Sequence, residues 1–286
     1  MGLPERRRIK QLVEEQVPKF AQTFHRETGL AIPVAVDAES LSALTDMGQL
    51  NNFLDWLSGS TNYGEFWTEA ISAWKQAAAD ALGQKVIAAT IQSWVIRYEP
   101  GVGKGLQLRD GVLVQQLGDG LSEYPRLYLQ DFFTALDALL TSGGLPLSER
   151  RRVEYLKNTV LPQRQAELKA ATGSDIELAL VDNFAQMPAG DPRLGTLDWV
   201  TGYTNSGEFW NELMTALRTI CSDDLGRQAL SAAVQRLEVR WESRVGADLR
   251  LAGGTLTYLY NFADCPSDGS YRLFADDIRQ RLEALL

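Results

Sequence analysis

A fourteen-residue segment occurs twice in this chain, and its recurrence limits the folds that the sequence can adopt. LDWLSGSTNYGEFW occupies residues 54–67 and LDWVTGYTNSGEFW occupies residues 197–210, with ten of the fourteen positions identical. The similarity continues on both sides of the segment, at a period of about 143 residues. That period is the length of a whole domain and far exceeds a solenoid repeat. The sequence therefore predicts one domain built twice in tandem.

The repeat also sets the expected domain boundaries. We predict a first domain at residues 1–143 and a second at residues 144–286, because the two copies align from end to end. The stretch TSGG at residues 141–144 is typical of a short linker. Matched stretches include Glu5–Arg8 with Glu149–Arg152, Asp80–Glu99 with Asp223–Glu242, and Leu136–Leu140 with Leu282–Leu286.

Each copy is predicted to begin with an amphipathic helix, at residues 5–27 and 149–171. Pro18 and Pro162 fall inside these helices. Because proline lacks a backbone N–H, we expect each of them to kink its helix or to divide it into two. The expected C-terminal stops of the two helices are Gly29 and Gly173.

A second helix is predicted from about Glu65 to Ala81 in the first copy. Its apolar residues recur at helical spacing, so they share one face that we expect to be buried. The residues of that face are Phe66, Trp67, Ala70, Ile71, Trp74 and Ala78.

Strands are predicted at residues 32–37 and 94–99, and the second of these alternates between apolar and polar positions. LQLRDGVLVQQL, at residues 106–117, is typical of two strands joined by a tight turn at Asp110–Gly111. With a final helix, each copy has the order α-β-α-α-β-β-β-α. The predicted fold class is therefore α+β, a tandem duplication in which a small, mostly antiparallel sheet is packed with helices.

The chain is acidic throughout, with a net charge of −9. Residues 1–143 contain 12 basic and 17 acidic side chains, and residues 144–286 contain 16 and 20. Binding of nucleic acid is disfavoured because it requires a basic face, whereas attraction to a basic protein partner is allowed. The sequence shows neither a long apolar run nor a secretory signal, so we expect a cytoplasmic protein that does not bind a membrane.

The duplicated segment has a structural and a functional interpretation. In the structural one, Asn62 caps the helix that follows, Glu65 completes a capping box, and the segment is a corner between two helices. In the functional one, the segment provides an aromatic surface flanked by carboxylates, a composition that suits a protein interface. The candidate partner-binding residues are Asp55, Trp56, Tyr63, Asp198, Trp199 and Tyr203.

The chain contains few of the residues on which most catalytic and metal sites are built. His25 is the only histidine, and its matched position is Lys169, so a Ser-His-Asp triad or a zinc site built on histidine is not expected. Cys221 and Cys265 are expected to be reduced thiols in a cytoplasmic protein, although a disulfide between them is the alternative. No cofactor and no metal ion are predicted.

The leading functional hypothesis is a non-catalytic protein-binding protein, such as an acidic inhibitor or an immunity-type protein that masks a toxin or an enzyme. One alternative is a carboxylate-dependent enzyme or small-ligand binder with a cleft between the domains. Another is a structural or self-assembling protein, and the oligomeric state is left open. Carboxylates that recur in both copies include Asp37 with Asp182, Glu65 with Glu208, and Glu99 with Glu242.

Overall fold

The chain divides into two units, Met1–Ser142 (unit 1) and Gly143–Leu286 (unit 2). Each unit combines helices with a mixed sheet of four strands. The computed structural model describes residues 1–58, 65–118, 129–141, 144–181, 208–242, 248–260 and 273–286.

The two sheets have the same strand order and the same pairing directions. In unit 1 the order is β1-β2-β4-β3, with β1 parallel to β2, β2 parallel to β4, and β3 antiparallel to β4. In unit 2 the order is β5-β6-β8-β7, with the corresponding directions. The strands are β1 Val34–Val36, β2 Ser93–Tyr98, β3 Gly105–Arg109, β4 Val112–Leu117, β5 Glu177–Leu180, β6 Arg236–Trp241, β7 Asp248–Ala252 and β8 Thr255–Tyr260.

The prediction of a mostly antiparallel sheet is wrong, because two of the three pairings in each sheet are parallel. Helices connect β1 to β2, and such a crossover allows neighbouring strands to run in the same direction. The hairpin β3–β4 then places β4 beside β2 and leaves β3 at the edge. Only the hairpin itself has the predicted antiparallel pairing.

Helices in unit 1 pack against this sheet. Two of them, α3 and α4, lie between β1 and α5. The second, α4, is the helix that precedes the corner in the structural interpretation of the duplicated segment, whereas α3 is an addition to the predicted order of elements. The helix predicted from Glu65 begins at that residue, and all six residues of its predicted buried face are buried. The helices are α1 Leu3–Gln11, α2 Val17–Thr28, α3 Ala38–Ser42, α4 Met47–Ser58, α5 Glu65–Ala77, α6 Ala81–Thr90 and α7 Leu129–Leu139.

Helices in unit 2 follow a similar course over the described residues. The helix Glu208–Ile220 packs against both the C-terminal helix Ala275–Leu285 and the helix Leu161–Thr172. Within the described ranges of both units, none of the helices combines the length and the apolar character that a membrane span requires. The helices are α8 Leu147–Tyr155, α9 Leu161–Thr172, α10 Glu208–Ile220, α11 Asp224–Ala233 and α12 Ala275–Leu285.

A π-helical turn lies within the first helix of each unit, at Leu12–Gln16 and Leu156–Val160. Pro18 and Pro162 follow directly in the first turn of α2 and α9, where a missing N–H is tolerated. The helical backbone continues through this turn, so the proline coincides with a widened turn in place of the predicted kink or division. The predicted stops are confirmed, since Gly29 and Gly173 have a left-handed backbone with φ of 70°.

The cores of the two units differ in chemistry. In unit 1, Trp94 lies at the centre of an aromatic cluster, with the ring centroids of Phe24, Trp67, Trp74 and Phe132 between 5.6 and 6.0 Å from its own. Unit 2 instead buries mostly aliphatic side chains. The largest contributors there include Leu168, Leu213, Met214, Leu217, Leu237, Leu256, Ile278 and Leu282.

Candidate functional site

The first copy of the duplicated segment lies at the end of α4. This helix begins after Asp46, whose carboxylate accepts hydrogen bonds from the backbone N–H groups of Gly48 and Gln49 at 2.8 and 3.1 Å. An N-terminal cap of this kind satisfies donors that the helix itself leaves unpaired. Leu50, Phe53, Leu54 and Leu57 form the buried face of α4. The predicted site residues Asp55 and Trp56 lie on its half-buried remainder.

Asp55 is held by an arginine from α1. The guanidinium group of Arg8 donates one hydrogen bond to Asn51 Oδ1 at 2.7 Å and a second to Asp55 Oδ1. This ion pair neutralises the carboxylate, and Arg6 and Arg7 beside it on α1 are exposed. The surface around Asp55 is therefore less acidic than the net charge of the chain suggests.

Trp56 is the one predicted aromatic anchor within the described residues, and it is half-buried. Its ring lies 6.1 Å from that of Phe53, centroid to centroid, at an interplanar angle of 47°. An indole that is fixed by packing yet remains partly accessible loses little conformational entropy on binding, which is the usual character of an interface anchor.

The other predicted site residues fall in parts of the chain that the structure does not describe. Tyr63 lies in 59–64, together with the predicted cap Asn62. Asp198, Trp199 and Tyr203 lie in 182–207. Of the six candidates, the structure therefore places only Asp55 and Trp56, which are neighbours on α4 but have different contacts. The capping box and the twofold aromatic surface remain predictions.

Three carboxylates at matched positions, Asp37, Asp80 and Asp223, have structural roles. Asp37 Oδ1 accepts the backbone N–H of Ser40 at 3.0 Å, which caps α3, and Asp37 also lies 3.6 Å from Arg97. Asp80 and Asp223 cap α6 and α11 in the same way, by accepting from the backbone N–H of a glycine three residues later. Each carboxylate is therefore used locally.

The other recurring carboxylates that the structure describes do not meet at a common site either. Glu242 lies 3.9 Å from Arg250 on an exposed face. Among the described residues, no three histidine, cysteine, aspartate or glutamate side chains converge closely enough to hold a metal ion. Hydrogen bonds from Lys75 and Arg26 hold the pKa of Glu27 below its usual value, the opposite of what a general acid requires.

A polar cluster in unit 2 was missed by the sequence analysis. Trp210 is buried, and its indole N–H donates to the Glu167 carboxylate at 2.5 Å. Arg164 donates to the same carboxylate at 2.8 Å, and its guanidinium carbon lies 5.5 Å from the centroid of the Trp210 ring. Arg164 and Glu167 are one helical turn apart on α9, a spacing that typically allows an ion pair and is visible in the sequence.

The ionisation of Glu167 follows from these contacts. Partial burial opposes the charged form, but the hydrogen bonds from Arg164 and Trp210 outweigh it and hold the pKa of Glu167 below its usual value. The carboxylate therefore stays ionised at neutral pH and fixes the ring of Trp210. We interpret this group as a support for the α9–α10 packing.

An apolar cavity lies beside this cluster and has a volume of only about 10 Å³. That volume is about the minimum for one water molecule, and an apolar cavity offers water few hydrogen-bond partners. It therefore does not accommodate a ligand of substrate size. Its lining consists of Leu156, Val160, Leu161, Arg164, Leu178, Leu180, Trp210 and Val239.

The surroundings of His25 and Cys221 indicate structural roles for both residues. His25 lies on the exposed side of α2, and its Nε2 is 2.8 Å from the carbonyl oxygen of Ile32. Cys221 is a buried free thiol, and burial raises its pKa although Arg227 lies nearby. A thiol with a raised pKa is a poor nucleophile at neutral pH. Cys265 lies outside the described residues, so its expected state remains a prediction.

Comparison of this chain with protein-family models, with curated proteins and with solved structures finds no match.

Proposed function

We propose that this chain is a non-catalytic protein-binding protein that arose by tandem duplication of a domain of about 143 residues. A concrete form of the proposal is an acidic inhibitor or immunity-type protein that masks a basic toxin or enzyme. In this form the half-buried Trp56 is an anchor for the partner, and the net negative charge of both units increases the rate of encounter.

The duplication is supported by features that go beyond shared sequence. Both units have the same strand order, a π-helical turn before a proline, and a left-handed glycine after the following helix. In both, a threonine hydroxyl at the end of that helix donates to the carbonyl oxygen four residues earlier, Thr28 to Phe24 and Thr172 to Leu168. Agreement in such local details is expected of two copies of one ancestral domain.

The single observation that carries the binding function is the way the recurring carboxylates are used. Asp37, Asp80 and Asp223 each cap a helix instead of meeting in a pocket. An acid–base enzyme needs carboxyl groups with raised pKa values in a cleft. A binding protein needs only a stable scaffold, a net charge and partly exposed anchors.

Affinity purification of the tagged full-length chain from its native host tests this proposal. We expect one stoichiometric protein partner to be retained at low salt and to be released as salt is increased, because screening weakens attraction between opposite charges. Trp56→Ala and Trp199→Ala should each reduce retention, because each removes an aromatic anchor.

The matched control is Lys19→Ala, which changes an exposed residue of α2 and should leave retention unaltered. Circular dichroism must show that all variants remain folded. Retention of no partner at any salt concentration would reject the tight-binding form of the proposal. Equal retention by the wild-type chain and both tryptophan variants would reject the assignment of the anchors.

A further inference from the structure

The two sheets end in edge strands that differ in chemistry. β3 is the edge of the unit 1 sheet and β7 is the matched edge of the unit 2 sheet. Among the described residues, no further strand pairs with either of them. An unpaired edge presents a row of backbone donors and acceptors, and proteins usually block such an edge with charges.

The hairpin geometry fixes which backbone groups of β3 face outward. Asp110 and Gly111, both with positive φ, form a two-residue turn between Arg109 and Val112, which pair with each other. Hydrogen-bonded and non-bonded pairs alternate along an antiparallel ladder. Arg109, Gln107 and Gly105 therefore bond inward to β4. The N–H and C=O groups of Leu106 and Leu108 face outward.

The same edge in unit 2 is blocked. The N–H of Leu249, the match of Leu106, is bound by Asp248 Oδ1 at 2.9 Å. Arg281 holds this carboxylate in turn at 2.7 Å, and Arg250 lies 3.3 Å from its other oxygen. In β3 the residue matched to Asp248 is Gly105 and the residue matched to Arg250 is Gln107, so the charges at these two positions are absent. The charge that β3 does carry, Arg109, lies at the turn and bonds to the Gln107 side chain.

We propose that the β3 edge pairs with β3 of a second copy of this chain, in antiparallel orientation about a twofold axis at Gln107. The sequence of the strand is self-complementary in this arrangement. Leu106 of one copy lies opposite Leu108 of the other, and each exchanges both of its outward backbone hydrogen bonds with that residue. Gln107 lies opposite its own copy, and its side-chain oxygen accepts a hydrogen bond from Arg109 within the same strand.

Charge complementarity at the ends of β3 favours the same register. Lys104 precedes the strand and Asp110 follows it, at equal separations from Gln107. Antiparallel self-pairing therefore brings Lys104 of each copy towards Asp110 of the other. The matched strand β7 would instead bring Arg250 opposite its own copy, a like-charge contact that opposes pairing.

The apolar side of the edge is also suited to this partner. Leu106 and Leu108 are only half-buried, although their neighbours on β4, Gln115 and Leu113, are fully enclosed. Pairing of two copies would cover the exposed part of both leucines. Since one strand contributes a small interface, the dimer is expected to be reversible and dependent on concentration.

Sedimentation velocity of the full-length chain over about a hundredfold range of concentration tests the proposal. We expect a reversible monomer–dimer equilibrium. Gln107→Arg introduces the charge found in β7 and should weaken the dimer about tenfold or more. Gly105→Asp should weaken it as well, and an added Cβ at Gly105 would meet nothing within 4 Å, so this variant is expected to fold. Gln22→Arg makes the same change at an exposed position of α2, so it is the matched control and should leave the equilibrium unchanged.

Residue-level hydrogen exchange identifies the surface involved. The backbone N–H groups of Leu106 and Leu108 should exchange more slowly as the protein concentration rises. The exchange rate of the Gln107 backbone N–H, which bonds to β4, should not change. A chain that is monomeric at every concentration would overturn the proposal. So would a dimer that Gln107→Arg leaves intact, or one that leaves exchange at Leu106 and Leu108 unaltered. The inference does not depend on the binding of a different protein partner.

Discussion

The centre of unit 1 is built from aromatic rings, whereas the matched positions of unit 2 hold aliphatic side chains, and both sets are buried. The two sheets nevertheless have the same order and directions. This fold therefore requires apolar volume at these positions and not a particular ring, as is general for protein cores. The matched pairs are Phe24 and Leu168, Trp74 and Leu217, Trp94 and Leu237, and Phe132 and Ile278.

The two units differ most where the first long helix contacts a tryptophan that occurs in both, as Trp67 in unit 1 and Trp210 in unit 2. In unit 1, Phe20 stacks on Trp67 with ring centroids 4.4 Å apart, and the indole N–H donates to the Leu57 carbonyl at 2.9 Å. In unit 2, Arg164 takes the place of Phe20, and the indole of Trp210 donates to a carboxylate. One ring is thus held by stacking and the other by an ion pair.

The largest expected effect comes from emptying the core at matched positions. Trp94→Ala should destabilise unit 1 by about 4 kcal/mol, and Leu237→Ala should destabilise unit 2 by about 3 kcal/mol, because the cavity left by the indole is larger. The indole N–H of Trp94 also donates to the side-chain oxygen of Gln115 at 3.2 Å, and the substitution leaves that buried oxygen without its donor. Hydrogen exchange in urea, followed on peptides of each unit, measures both values. A larger loss in unit 2 would contradict the comparison.

The stacking position gives the next largest effect. Phe20→Arg should cost about 2 kcal/mol, because the guanidinium is placed against Trp67 without a carboxylate to pair with. The residue matched to Glu167 is Thr23, so the double variant Phe20→Arg with Thr23→Glu should regain about 1 kcal/mol. Thermal unfolding of the two single variants and the double variant gives the coupling. If Thr23→Glu stabilises equally with and without Phe20→Arg, the ion pair is not transferable.

Substitution of the glycine that ends the long helix should cost the same free energy of unfolding in both units. This pair therefore tests a feature in which the two units agree. Gly29→Ala and Gly173→Ala each force a Cβ into a left-handed backbone, at a cost of about 1 kcal/mol. No atom lies within 4 Å of the added Cβ in either case, so the backbone conformation alone sets the cost. Urea denaturation of the two variants checks this. Unequal losses would show that the two stops have diverged.

The smallest effect is the pH dependence that Glu167 contributes in unit 2. Because the folded-state pKa of Glu167 is lowered, its contribution is present above the ordinary carboxyl value of 4.5 and is lost as pH falls through the lower folded value. The side chain is 43% exposed, so this contribution is under about 1 kcal/mol. Urea midpoints measured from neutral to acidic pH should fall less in Glu167→Gln than in the wild-type chain. Parallel profiles would contradict the assignment.

Local features of this fold could be predicted from the sequence, and non-local ones could not. The buried face of α5, the stops at Gly29 and Gly173, and the turn at Asp110–Gly111 each depend on residues within a few positions of one another. The pairing of β2 with β4 depends instead on which strand the hairpin turns towards, and neither strand encodes that choice alone. The sheet directions were therefore predicted wrongly.

The same distinction applies to the candidate site. Trp56 was predicted as a candidate because a repeated tryptophan is visible in the sequence, whereas Asp55 pairs with Arg8, which is 47 residues away. The Arg164–Glu167 pair has a visible spacing, yet its significance depends on Trp210, which lies 43 residues from Glu167. Contacts between residues so far apart in the sequence become apparent only when the helices are packed.

The π-helical turns at Leu12–Gln16 and Leu156–Val160 set the rotational phase of each long helix. An α-helix turns by about 100° per residue, so one residue more or fewer rotates everything that follows by that angle. The widened turn absorbs such an offset and lets both Leu12 and Phe24 reach the core. Deletion of a single residue in this turn would therefore leave a regular α-helix with Phe24 still directed towards Trp94, whereas a deletion in α2 before Phe24 would rotate that ring away by about 100°. The long helix thus tolerates a change of chain length at the π-helical turn and not beyond it.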